Sequence, residues 1–203
     1  EHDTTRAKLL VKVGVVYYYK GKYKLSIDCF KKSHDIFEKF GDKRRVAKSL
    51  NNLGNIYMAI GDKKTAIDCY ERAQKMHEKL GDKTGVAYVL GNIGVLLKDM
   101  GDNEQAINYY YKSLKLWEEL NNIAGIARSK NNIGRVYFDN KKYQKANDLY
   151  FKALDAWREI DNKVQMSYAL GNIGESYYAK GDINNAKKYY SESLSIAEKI
   201  ENK

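Results

Sequence analysis

The sequence predicts an all-α fold: ten helices arranged as five antiparallel pairs stacked into an α-solenoid. Three observations predict it. The 203 residues contain no proline, where ordinary usage of about 5% would supply about ten, so nothing interrupts a helix from within. The residues repeat with a period of forty, five times over and without a gap. Within each forty, apolar residues recur at i, i+3, i+4 and i+7, the spacing that lines one face of a helix.

The columns of that repeat carry the argument. Gly14, Gly54, Gly94, Gly134 and Gly174 share one column. One residue earlier stand Val13, Leu53, Ile93, Ile133 and Ile173, and three residues later Tyr17, Tyr57, Leu97, Tyr137 and Tyr177. Further on come the small residues Ser26, Ala66, Ala106, Ala146 and Ala186. Four after those come the large rings Phe30, Tyr70, Tyr110, Tyr150 and Tyr190, and then Ser33, Ala73, Ser113, Ala153 and Ser193. Small residues sit where two helix backbones cross, and the large rings fill the grooves beside them. A glycine inside a helix costs about 1 kcal/mol relative to alanine, so five in register imply a packing requirement.

Turn residues set the element bounds. Each repeat has an inner turn, at Gly21-Lys22, Gly61-Asp62, Gly101-Asp102, Asn140-Lys141 and Gly181-Asp182. The turns between repeats are Gly41-Asp42, Gly81-Asp82, Asn121-Asn122 and Asp161-Asn162. Gly or Asn in the left-handed conformation ends one helix, and an Asp side chain caps the next. The predicted helices are 4–20, 23–40, 43–60, 63–80, 83–100, 103–120, 123–140, 143–160, 163–180 and 183–201. The expected organisation is one domain over 1–203, with repeats of about 1–40, 41–80, 81–120, 121–160 and 161–203. The chain opens at Glu1 without a Met, and its last helix still reads apolar at Leu194, Ile196 and Ile200. Both features lead us to expect a piece of a longer protein, or a partner surface over that end.

These columns resemble the tetratricopeptide repeat (TPR): a large residue, two spacers, Leu-Gly, two spacers and Tyr, followed by Ala, three spacers and Phe. The resemblance covers the whole chain and implies five TPR units in a right-handed superhelix, with stability added repeat by repeat. The usual period is thirty-four residues. Here Glu38, Glu78, Glu118, Arg158 and Glu198 stand where the shorter repeat places a helix-ending proline. Glu and Arg are good helix formers, so the second helix runs on for almost two more turns. The forty-residue form is similar to Pins/LGN-type adaptors and to the TPR regions of bacterial sensors and regulators.

In such repeats the first helix of each pair lines the concave face. Two residues before each glycine stand Lys12, Asn52, Asn92, Asn132 and Asn172. The O-GlcNAc transferase superhelix and kinesin light chains look similar here, and in them such asparagines hold the backbone of an extended peptide. A carboxamide offers both donor and acceptor, so it pairs with peptide N–H and C=O whatever the side chains are. The other reading is that these asparagines brace neighbouring helices, and the two are compatible. On the same face, Asn55, Lys48, Tyr88, Arg128, Asn131, Arg135 and Tyr168 complete the candidate peptide-binding set. Arg128 and Arg135 are the expected carboxylate anchors, because a guanidinium grips a carboxylate with two bonds. Across the face six cations stand against three anions, Asp99, Asp139 and Glu175. That balance points to an extended ligand with some acidic character. A chaperone-tail carboxylate clamp, laid on the same face, matches only at Asn55, Asn92 and Arg128.

The function expected is a non-enzymatic scaffold that binds a peptide or protein segment. The alternative is a sensor or regulatory module of a larger signalling protein, attached to a kinase, a cyclase or a peptide-responsive regulator. The net charge of +10 raises nucleic acid as a third partner class. The excess lies in the first, second and fourth repeats and much of it sits in turns, such as Lys22, Lys43, Lys63 and Lys141, so nucleic acid is disfavoured. No nucleophile elbow, phosphate loop or paired Cys/His spacing is present, so no catalysis, metal or cofactor is expected. Cys29 and Cys69 fall in one column of neighbouring repeats, too far apart to bridge across packed helices. They read as free thiols packed as small hydrophobes, which suits a reducing, cytoplasmic setting. No apolar run approaches the twenty residues of a membrane span.

Overall fold

The computed structural model describes residues 2–201. Its helices are α1 His2–Tyr19, α2 Tyr23–Lys39, α3 Lys43–Ala59, α4 Lys63–Lys79, α5 Lys83–Asp99, α6 Asn103–Glu119, α7 Ile123–Asp139, α8 Tyr143–Glu159, α9 Lys163–Ala179 and α10 Ile183–Glu201. No strand occurs among the described residues. Most helices stop one residue short of the expected end, because the last residue of each predicted segment serves as the C-cap.

The turns show why the period holds. After α3, Gly61 takes φ +82° and donates its N–H to the Met58 carbonyl at 3.0 Å, while the Asp62 N–H reaches the Tyr57 carbonyl at 2.9 Å. This paired bonding satisfies the last carbonyls of the helix and requires a left-handed residue at its centre. The Asp62 carboxylate then accepts from the Thr65 N–H at 3.0 Å and so caps α4. Asp102, Asn122, Asn162 and Asp182 cap their helices in the same way. The fourth inner turn departs from expectation. Asn140 stays at φ −84° as the C-cap of α7, and Lys141 takes the left-handed conformation at φ 59°. Two backbone bonds, Lys141 N–H to Phe138 at 2.8 Å and Lys142 N–H to Tyr137 at 2.8 Å, fix that position. The register of the turn outweighs the preference for asparagine one residue earlier.

By their internal contacts, the residues form two compact units, 1–96 and 97–203. In the first, α1 packs on α2, α2 on α3 and α3 on α4. Its core includes Phe30, Leu53, Ile56 and Cys69, with a second cluster of Ala7, Phe37 and Val46. In the second, α6 packs on α7, α7 on α8, α8 on α9 and α9 on α10. Its core centres on Tyr150, Leu154, Trp157, Leu170 and Ile173, with small residues between them. The small-against-large packing is as the columns predict. A side chain on Gly54 would begin 2.5 Å from the Tyr70 ring, and one on Gly134 would begin 2.7 Å from the Tyr150 ring. Ser26, in the small column, also donates to the Gly14 carbonyl at 2.7 Å. Cys29 and Cys69 are buried free thiols, and burial pushes both up from the ordinary thiol range. On α10, Ile196 packs against the core while Leu194 is 60% exposed.

Candidate functional site

In the first unit, the first helices of successive repeats place their polar columns beside open clefts. Three clefts meet around Asn52. One, of about 270 Å³, lies against Val15, Tyr18, Tyr19 and Asn55. A second, of about 250 Å³, is bounded by Lys8, Lys12, Phe37 and Lys48. The third, of about 500 Å³, lies between α3 and α5, with Lys48, Asn51, Tyr88 and buried His77 on its walls. Asn52 is half-buried and lines all three. Lys12, Lys48 and Tyr88 are exposed on the same surface. The Asn55 carboxamide oxygen accepts a 2.7 Å bond from the Tyr70 hydroxyl, which orients it. Burial pushes that phenol well above the usual tyrosine range, so it remains a donor.

Bracing and availability coexist in the asparagine column. Asn92 donates through Nδ2 to Asn51 Oδ1 at 2.8 Å, and in the second unit Asn172 donates to Asn131 Oδ1 at 2.9 Å. Each bond joins neighbouring repeats. Each uses one N–H of a group that has two, and leaves that group's own carbonyl oxygen unspent. Asn92, Asn132 and Asn172 are all half-buried.

The cations of the second unit are arranged differently. Arg128 and Tyr168 are exposed, Tyr168 by 67%. Arg135 donates through Nη1 to Glu175 at 2.8 Å and through Nε to Asp139 at 3.1 Å, and its guanidinium lies 4.9 Å from the centre of the Phe138 ring. Lys98 reaches Asp139 at 3.0 Å. A ligand carboxylate reaching Arg135 would have to exchange with two protein carboxylates. Lys98, Asp139, Arg135 and Glu175 form a ladder on one face.

The repeat geometry and the sequence agree on the family. The tetratricopeptide repeat model matches residues 5–79, 45–119, 84–150 and 125–199. The chain belongs to the tetratricopeptide repeat family. No curated relative matches the sequence. Among solved structures, this TPR chain is similar to a Rap protein complexed with competence and sporulation factor, with a TM-score of 0.85 at 18% identity over 95% of this chain and 54% of that one. It is similar also to the Rap conjugation regulator of plasmid pLS20 in complex with the Phr* peptide, at 0.82, 16%, 95% and 53%. A putative kinesin light chain from Podosopora anserina with TPR-like repeats matches at 0.75 and 15%, covering 100% of this chain and 99% of that one. The TPR chain spans about half the length of the two Rap proteins. At such identities the likeness shows the shared fold.

The sequence reading of this TPR chain missed the group around His77. His77 Nδ1 lies 3.1 Å from Asp82 Oδ2, and Arg44 Nε lies 3.3 Å from the same oxygen. The other Asp82 oxygen accepts from the Gly85 N–H at 3.1 Å. A signal was available. His77 stands in the column of Phe37, Trp117 and Trp157, and it packs over Gly85 as Trp117 packs over Gly125. Among the described residues, no three His, Cys, Asp or Glu side chains gather as a metal site needs. Nor is any helix among them long and apolar enough to cross a membrane.

Burial holds the His77 imidazole below the ordinary histidine range, against the opposing pull of Asp82. Burial alone would raise Asp82, but the Gly85 N–H, His77 and Arg44 hold it low. The unfolded chain therefore binds more protons at His77 than the folded chain does. This contribution to stability is complete above the unfolded histidine value of 6.5 and is lost as pH falls from there through the folded value. The Asp82 contribution is lost only in a lower window, below the ordinary carboxylate value. The urea midpoint is expected to fall between about pH 7.5 and pH 5. In His77→Phe, which installs the ring found at Phe37, the fall should be smaller. An equal fall in both proteins would remove His77 as its cause.

Proposed function

We propose that the chain is a non-enzymatic scaffold that binds an extended peptide or protein segment along the faces carrying Asn52, Asn92, Asn132 and Asn172. The observation that supports this most is Asn52, a half-buried carboxamide shared by three adjoining clefts. The remaining N–H and carbonyl of Asn92 and Asn172 suit a main chain, which offers one donor and one acceptor per residue. Lys12, Lys48 and Arg128 favour acidic character in the segment, and Tyr88 and Tyr168 offer apolar contact. Protein ligands are favoured over nucleic acid, because Lys98 and Arg135 on this face are paired with Asp139 and Glu175. We read residues 1–203 as a single repeat domain working in a cytoplasmic setting.

A second reading has its own support. One Rap protein is complexed with competence and sporulation factor and the other with the Phr* peptide, and this chain spans about half their length. The chain is then the peptide-sensing module of a larger regulator.

The test is to capture a partner with the purified chain, map the bound segment, and titrate it by calorimetry. Asn92→Ala, Asn132→Ala and Arg128→Ala together should weaken binding about a hundredfold, given about 1 kcal/mol per hydrogen bond. Circular dichroism should show helicity retained. Unchanged affinity rejects this groove.

A further inference from the structure

The third cleft differs from the other two in having a buried titratable group on its wall. Arg44 and Lys48 of α3 stand one helical turn apart beside it, with Asn51 and Asn52 on the next turn. Thr84 and Tyr88 of α5 face them, and His77 and Asp82 close one side. Asp82 is fully engaged, since its oxygens take the Gly85 N–H, His77 and Arg44. Arg44 pairs with Asp82 through Nε at 3.3 Å, and a guanidinium carries five N–H in all. Lys48 has no carboxylate partner among the described residues. Two cations against one carboxylate leave one positive charge unbalanced at a cleft of about 500 Å³. The cleft can therefore take the charge and volume of one acidic side chain.

We propose that this cleft is a proton-linked binding site for a single glutamate or aspartate side chain of the bound segment, held by Arg44 and Lys48 beside Tyr88 and tightened when His77 takes up a proton. The proposal rests on the groove reading for the source of that side chain. A neutral His77 leaves the cleft with one excess charge, and a protonated one adds a second directly behind the ligand's seat. The same linkage runs in reverse: a carboxylate in the cleft stabilises the imidazolium and raises the pH at which it forms. The charged and titratable groups facing His77 are Arg44 and Lys48 from α3 and Asp82 and Tyr88 from α5 and its cap. On its own helix, Glu78 is occupied by Gln74 at 2.7 Å. Asp82 is already ionised, held low by the Gly85 N–H, His77 and Arg44, so His77 is the group that takes up a proton as pH falls below the ordinary histidine value.

The experiment uses the full chain and two capped amino acids, N-acetylglutamate methylamide and its glutamine counterpart. The His77 imidazole resonance is assigned by its loss in His77→Phe and followed by NMR. Capped glutamate should shift it saturably at millimolar concentration, with affinity about fivefold tighter near pH 5 than near pH 7.5. Capped glutamine should leave it unmoved. R44Q combined with K48Q, both exposed changes, should weaken the glutamate effect about tenfold with helicity unchanged. No glutamate-specific shift, or the same shift in the double variant, overturns the proposal. The groove reading fails separately. If a captured segment binds the R44Q/K48Q protein as tightly as the original, the cleft assignment falls and the groove stands. If the Asn92, Asn132 and Arg128 variant keeps full affinity, the groove falls whatever His77 reports.

Discussion

Replacing Tyr150 with alanine is expected to lower the unfolding free energy by about 4 kcal/mol. The ring is fully buried and sits at the centre of the second unit's core, against Ala127, Ala153 and Ile173. Its edge lies over Gly134, where no side chain exists to move into the space left behind. The neighbours in the small column, Ala146 and Ala153, cannot expand either. The vacated volume therefore remains a cavity, and a cavity adds to the lost transfer energy. Tyr150→Phe separates ring from hydroxyl. That hydroxyl is buried without a hydrogen-bond partner, so removing it should leave stability unchanged or raise it. Urea unfolding followed by circular dichroism reads both. A loss below about 1.5 kcal/mol in Tyr150→Ala would mean that the column closes over the gap and is not the fixed packing described here.

The reciprocal change, Gly54→Val, is expected to cost about 3 kcal/mol. The new Cβ would lie 2.5 Å from Tyr70 Cε1 and 2.7 Å from Cδ1. Tyr70 cannot swing aside, because it is fully buried and its hydroxyl is tied to Asn55 at 2.7 Å. The overlap thus exceeds the gain of about 1 kcal/mol from replacing a helical glycine. Tyr70→Leu in the same chain should restore part of the loss, giving a coupling of about 1 kcal/mol or more in a double-mutant cycle. Additive single costs would show that the two positions do not touch. Because Tyr70 holds Asn55, the valine variant should also loosen one wall of the Asn52 clefts.

Much of this was legible in the sequence because the signals are periodic. The column of Gly54 and Gly134, on the helix that precedes Tyr70 and Tyr150 in each pair, marks in the sequence which helix faces meet. The caps at Asp62 and Asp102 were legible for the same reason. What escaped was set by context and not by residue type. Lys141 is left-handed because the register demands a left-handed residue there, although lysine has no preference for it. Arg135 reads as a free anchor in isolation, and only the packing of α7 beside α9 shows it bound to Glu175. The Arg44, His77 and Asp82 group draws on α3, α4 and the cap of α5, and no window along the chain contains all three.

The most direct measurement follows the side-chain amide resonances of Asn52, Asn92, Asn132 and Asn172 by NMR while a captured segment is titrated in. The account predicts that all four shift in step with occupancy. They should also shift when the segment's side chains are shuffled, because carboxamides meet its main chain. Saturated binding with those four resonances unmoved would contradict it.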